Sequence, residues 1–236
     1  PELQGIIGGH LSSSQGFDRE IADAIKEQYL PVGLDSLVPK KPFSVSLSLS
    51  DKIDTLVGFF SVNKKPSSSK DPYALRRIAL GIIKIIIENK KDLNINDLFS
   101  YSTKLYLNQG LSIENKLLQN DLFIFVKDRF KYYLKEKNIR HDIIESSLNA
   151  FDLNKISAQH DKSKNLNKII NNQIGQDIVS SYKRAHNILQ SELKNLNYNF
   201  SNTTDPGIFK NDFEKNLQKK INELRKYFAG TSKAEN

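Results

Sequence analysis

The sequence predicts an all-α fold, on three observations. Apolar residues recur at spacings of three and four along most of the chain, the period of one face of an α-helix. The stretches between them carry helix-starting and helix-stopping residues, among them Pro31, Asp71-Pro72 and Ser112. Strand and hairpin signals are lacking, apart from one short alternation at Val45, Leu47 and Leu49.

Taken in order, the first helix is expected from about Phe17 to Tyr29. Phe17, Ile21, Ala24 and Ile25 lie at helical spacing, with Asp18 and Glu20 near the positive end of the dipole. Pro31 stops it, and a loop follows through Gly33, Pro39 and Pro42. The alternation at Val45–Leu49 imitates a strand, but Ile53, Leu56, Val57 and Phe60 continue at spacings of three and four, so one long helix is read from Phe43 to Phe60. Asn63 to Asp71 is a basic loop with Pro66 and three serines. Asp71 is then expected as an N-cap with Pro72 at the first helical position, ahead of a continuous stripe of Leu75, Ile78, Ala79, Ile82, Ile83 and Ile86. Further helices are expected around Ile95–Leu107 and from Ser112 as N-cap to Glu136. The second would bury Ile113, Leu117, Leu122, Phe125, Val126, Arg129 or Phe130, Tyr133 and Leu134. A short helix is read from His141 to Ala150. Lys155–Asn172 reads as polar loop with one broken helix, and a subdomain boundary is placed there. A helix then runs from Gln176 to Leu196 on Ile178, Tyr182, Ala185, Leu189 and Leu193, with Tyr182 read as a core residue. Asn197–Gly207 is a polar linker, and a last helix fills Phe209–Phe228 before a stop at Gly230 and an open terminal loop.

Composition narrows the function. The 236 residues are 38% hydrophobic, enough for a real core. No Met occurs, even at position 1, from which an internal piece of a longer chain is expected. With no Cys, disulfides, thiolate metal sites and cysteine nucleophiles are excluded. The most apolar stretch, Ile78–Ile87, is interrupted by Gly81 and Lys84 and is too short to span a bilayer. No membrane partner is expected, and the reducing cytoplasm is the default location. The net charge is +8. Residues 1–60 hold five Lys/Arg against eight Asp/Glu, and the rest hold thirty against nineteen, so the excess lies downstream. Such a balance fits a polyanion such as RNA, although an AT-rich genome also loads a chain with Lys, Asn and Ile.

The densest basic cluster is Lys64, Lys65 and Lys70 with Arg76 and Arg77. Guanidinium forks and flexible ammoniums suit phosphate contacts, whereas the plainer reading is a solvated face, or Arg77 bridging helices through Asp54 or Glu88. Lys183, Arg184 and Asn187, beside Tyr182, form a smaller group of the kind that meets unpaired bases. No phosphate-cradling glycine loop, nucleophile elbow or His-Glu-x-x-His is present, so no catalytic residue is assigned. His10, Asp51 and Asp54 resemble part of the donor set of helical metal-dependent phosphohydrolases, but the His-Asp pair that should lie between them is missing. His141-Asp142 comes too late, at a helix start where Asp142 serves as a first-turn carboxylate.

Four strings narrow the reading: Glu2-Leu-Gln-Gly5, Gly8-Gly-His10, Asp51-Lys-Ile-Asp-Thr-Leu-Val-Gly58 and Lys70-Asp-Pro-Tyr-Ala-Leu-Arg-Arg77. In this order and spacing they resemble the β subunit of the bacterial heterotetrameric glycyl-tRNA synthetase. The likeness continues through Ile78–Ile87 to Ser180-Ser-Tyr-Lys-Arg-Ala-His-Asn-Ile-Leu189. The resemblance implies an assembly of two α and two β subunits. There the α subunit activates glycine with ATP and Mg, and the β subunit binds tRNA(Gly) through an HD-like helical domain and a helical anticodon-binding domain. By that similarity residues 1–62 would end the HD-like domain, with His10, Asp51 and Asp54 as a degenerate metal-site remnant. Residues 63–172 would be helical body, and 173–236 would begin the anticodon-binding domain. The fragment itself would hold no cofactor, metal or synthetic site. Two other classes compete, an active HD-type phosphohydrolase and a non-catalytic helical scaffold. Metal content separates the first from a tRNA-binding segment, and competition by glycine-specific tRNA separates the second.

Overall fold

A computed structural model describes residues 3–91, 93–195, 204 and 206–231. The expected helix end at Leu196, most of the linker from Asn197, and the terminal loop from Ser232 lie outside these described residues. Among the described residues ten α-helices follow one another: α1 Ile6–Ser14, α2 Arg19–Glu27, α3 Pro42–Ser61, α4 Leu75–Asn89, α5 Ile95–Asn108, α6 Asn115–Glu136, α7 His141–Leu148, α8 Ile156–Ile170, α9 Gln173–Asn195 and α10 Asp212–Thr231. Short 3-10 turns occupy Leu153–Lys155 and Pro206–Ile208. The fold is all-α as expected, with no strand among the described residues. The chain divides into two compact units, residues 1–179 and 180–236.

In the first unit, α4 is the centre. It packs on α3, α6 and α8, and α6 in turn meets α5 and α7. Beyond its apolar stripe α4 also buries Gly81, Lys84, Ile85 and Ile87, so nearly its whole circumference is covered, as an all-round apolar helix requires. Helix α3 supplies Val45, Leu49, Ile53, Leu56, Val57 and Phe60 to the same core. Its strand-like start is helical because Ser44, Ser48 and Lys52 share the buried face. The Ser48 hydroxyl donates to the Leu30 carbonyl at 2.7 Å, and the Lys52 ammonium donates to the Ser48 oxygen at 2.9 Å and the Gln28 carbonyl at 3.1 Å. Buried polar groups are tolerated where such partners exist.

Several expectations need correction. Helix α1, unread in the sequence, lies on α2, and a Cβ at Gly9 would come within 2.8 Å of the Ala22 carbonyl oxygen. The glycines that hide α1 from helix propensity are what allow this approach. Helix α6 starts at Asn115 with Glu114, not Ser112, at the cap position. Its buried stripe is Leu118, Leu122, Val126, Phe130, Tyr133 and Leu134, while Leu117 is 53% exposed. Residues 156–170 form one continuous helix, not a broken one. There Ile156, Ser157 and Ser163 are buried, and Ser163 is satisfied by the Ser147 hydroxyl at 2.9 Å and the Gln159 carbonyl at 2.8 Å. Helix α10 continues past Gly230 to Thr231. Among the described residues no helix is long and apolar enough to cross a membrane.

Candidate functional site

The entry into α4 is built by Asp71, though not as the sequence predicts. The helix begins at Leu75, after a turn in which the Ala74 amide donates to the Asp71 carbonyl at 3.1 Å. Ala74 closes that turn at φ 55°. The two Asp71 carboxylate oxygens reach forward to the Leu75 and Arg76 amides, at 2.9 Å each. Asp71 therefore caps the helix from within a turn, and Pro72 belongs to the turn rather than to the first helical position. Tyr73 stacks on Phe59 of α3, ring centroids 4.2 Å apart, and ties the turn to the core.

Arg76 donates from Nη2 to the Ser67 carbonyl and so closes the basic loop over the helix start. Arg77 is exposed. Neither arginine has an ion pair among the described residues, and Glu88 is taken by Lys84 at 3.4 Å and Lys40 at 3.8 Å. The Asp54 carbonyl accepts from the Tyr106 hydroxyl at 3.2 Å. The loop lysines are placed unequally. Lys65 pairs with Asp121 of α6, while Lys64 and Lys70 are exposed with no ion pair among the described residues.

The two arginines face a cleft of about 540 Å³ between the start of α4, the loop after α2 and the second half of α6. Its lining includes Pro31 and Leu34 from that loop, Leu80 from α4, and Arg129 and Tyr132 from α6. Lys84 also lines it, but its ammonium is committed to the Leu34 and Ser36 carbonyls and to Glu88. Arg129 is the residue sequence reasoning missed. Its spacing puts it on the buried side of α6, and the available signal was a cation at an apolar stripe position flanked by Phe125 and Tyr132. Its guanidinium carbon lies 5.9 Å and 5.8 Å from those ring centroids, a cation–π arrangement. Arg77 also borders a smaller cleft of about 330 Å³ with Tyr29, Asp51 and Lys52. Burial holds the Lys52 ammonium down at about 8, against an opposing pull from Asp51.

Among the other predicted positions, His10 and Asp54 are exposed on α1 and α3, and Asp51 accepts from the Gln28 side chain at 2.9 Å. Among the described residues no three His, Asp or Glu side chains stand close enough together to hold a metal. Lys183, Arg184 and Asn187 are exposed on α9 in the second unit. Tyr182 is not the core residue expected. It is 68% exposed and stacks on His186 one turn away, centroids 5.8 Å apart, because no described residue covers that face.

Residues 1–149, which contain every cleft residue named above, match the family model described as glycyl-tRNA synthetase beta subunit. The chain belongs to the glycyl-tRNA synthetase β-subunit family. A glycine–tRNA ligase β subunit of Rhodospirillum centenum is 36% identical over 201 residues, covering 85% of this chain and 28% of the relative. One from Rickettsia canadensis is 40% identical over 220 residues, covering 92% of this chain and 30% of the relative. The chain thus spans about three-tenths of the length of these β subunits.

Proposed function

We propose that this chain is a tRNA-handling segment of a β subunit of glycine–tRNA ligase. It would serve, in the cytoplasm, an α subunit that uses ATP and Mg to join glycine to tRNA(Gly). Synthesis belongs to that partner in a complex of two α and two β subunits. In this reading residues 1–62 end an HD-like domain whose metal set is degenerate, 63–172 are helical body, and 173–236 open an anticodon-binding region. The observation that carries it is the pair Arg76 and Arg77. They stand at a capped helix start without a carboxylate partner among the described residues, beside exposed Lys64 and Lys70. Guanidiniums at a helix N-terminus, of which Arg76 is held by the Ser67 carbonyl, suit backbone phosphates, which position an RNA without reading its sequence. Lys65 contributes less, since Asp121 neutralises it. Lys183, Arg184 and Asn187 offer a second set of polar contacts on the second unit.

The test is the Arg76→Ala/Arg77→Ala pair in the complete α/β enzyme. Affinity for tRNA(Gly) should fall, and the slope of log Kd against log salt should flatten by roughly one unit for each phosphate that the variant no longer neutralises. ATP–pyrophosphate exchange with glycine should persist. A double variant that melts early yet keeps the wild-type slope would remove the RNA assignment.

A further inference from the structure

The cleft holds more than a strip of positive surface. Arg129 reaches it from α6 with its Nε shielded from water and lacking a hydrogen-bond acceptor among the described residues. The guanidinium rests between Phe125 and Tyr132 and has no ion pair among the described residues. Closed to solvent, Nε is out of a ligand's reach, so Arg129, a lining residue of the cleft, would meet an anion through its terminal guanidinium nitrogens. Arg76 and Arg77 line the same cleft from α4. Asp71, the carboxylate in the lining, accepts one amide at each oxygen, from Leu75 and from Arg76, and its single negative charge is outnumbered by the three guanidiniums.

Apart from Lys84, the remaining lining is largely apolar and includes Pro31, Leu34, Leu80 and the aromatic Tyr132. A cleft of about 540 Å³ is far larger than an inorganic phosphate needs and lies in the range of small-molecule sites with apolar walls and a few convergent polar groups. Lys84 does not compete for the ligand, because its ammonium holds the Leu34 and Ser36 carbonyls.

We propose that this cleft is a binding site for one nucleoside phosphate, the phosphate held by Arg76, Arg77 and Arg129 and the base seated against Leu34, Leu80 and Tyr132. The site stands on the cleft itself and not on the tRNA reading, since the same chemistry arrives as a free mononucleotide or as an unpaired residue of an RNA strand. Guanidinium forks suit phosphate oxygens, and an aromatic wall suits any base because every base has a π-face.

Titration calorimetry on the 236-residue chain tests it, with AMP, adenosine, inorganic phosphate and a single-stranded adenosine trinucleotide as probes. AMP should bind saturably, and adenosine and inorganic phosphate each roughly tenfold or more weakly, as loss of a charged hydrogen-bonding group or of a stacked base implies. Tighter binding of the trinucleotide than of AMP identifies an RNA strand as the source, and the reverse order identifies the free nucleotide. Arg129→Gln should lose AMP binding about tenfold. Leu80→Trp, which keeps all three arginines and fills the base half, should lose AMP while retaining whatever inorganic phosphate binding exists. No saturable binding of AMP or the trinucleotide, phosphate competing as well as AMP, or Leu80→Trp binding AMP like the wild type would each overturn the proposal. These titrations read a small molecule on this chain, whereas the salt slope reads tRNA on the whole enzyme, so either result can fail without the other.

Discussion

Helices α4 and α9 carry the same kind of apolar periodicity and end in opposite surroundings. In α4, Leu75, Ile82, Ile83 and Ile86 are 0–2% exposed, covered by α3, α6 and α8. In α9, Tyr182 is 68% exposed, Ile188 65% and Leu189 44%. A stripe at helical spacing states that a face seeks apolar cover, and it does not state that the cover is present. Burial in α4 comes from three neighbouring helices that bring their own stripes, so the energetic weight of a residue is set by what faces it.

The contrast can be broken or sharpened by measurement. The largest effect is expected for Ile82→Ala, which should cost about 2–5 kcal/mol in urea unfolding of the chain, since it empties a fully enclosed volume. A loss below about 0.5 kcal/mol would mean that the α4 core relaxes like a surface. Next comes Lys52, whose ammonium burial lowers from the ordinary 10.5 to about 8. Between those values the unfolded chain binds more protons than the folded one, so stability rises with pH across that window, and the cost of burying the charge is fully present below it. Relative to Lys52→Met, the wild type should therefore gain on the order of 2 kcal/mol between about pH 7.5 and about pH 10.5. A flat difference would mean that the ammonium is as well solvated as in the unfolded chain. The smallest effect is expected for Ile188→Ser on α9, which should shift stability by no more than about 0.5 kcal/mol. A loss of several kcal/mol there would show that the second unit covers this residue in solution.

Legibility followed the same division. The α4 stripe and the α3 run were readable because their apolar residues repeat at helical spacing. The α3 start imitates a strand only because Ser44, Ser48 and Lys52 take buried positions, where Ser48 and Lys52 use the Leu30 and Gln28 carbonyls as partners. Helix α1 escaped notice because Gly8 and Gly9 lower its propensity, and their use is visible only against α2, where Gly9 meets Ala22. Helix α8 looked broken because two of its buried residues are serines, one of them bonded across to Ser147. At the cleft, adjacency exposed Arg76 and Arg77. Arg129, far along the chain on α6, joins them only through the packing of α4 on α6.

Lys84 gives the cleft a kinetic character. A cation that leaves the middle of α4 to grip the Leu34 and Ser36 carbonyls makes the wall of the cleft part of the helix. Whatever enters meets a wall already in place, and little ordering free energy is lost on arrival. Association is then governed by diffusion and by the field of the arginines, and occupants that differ in fit will differ in how long they stay rather than in how fast they come.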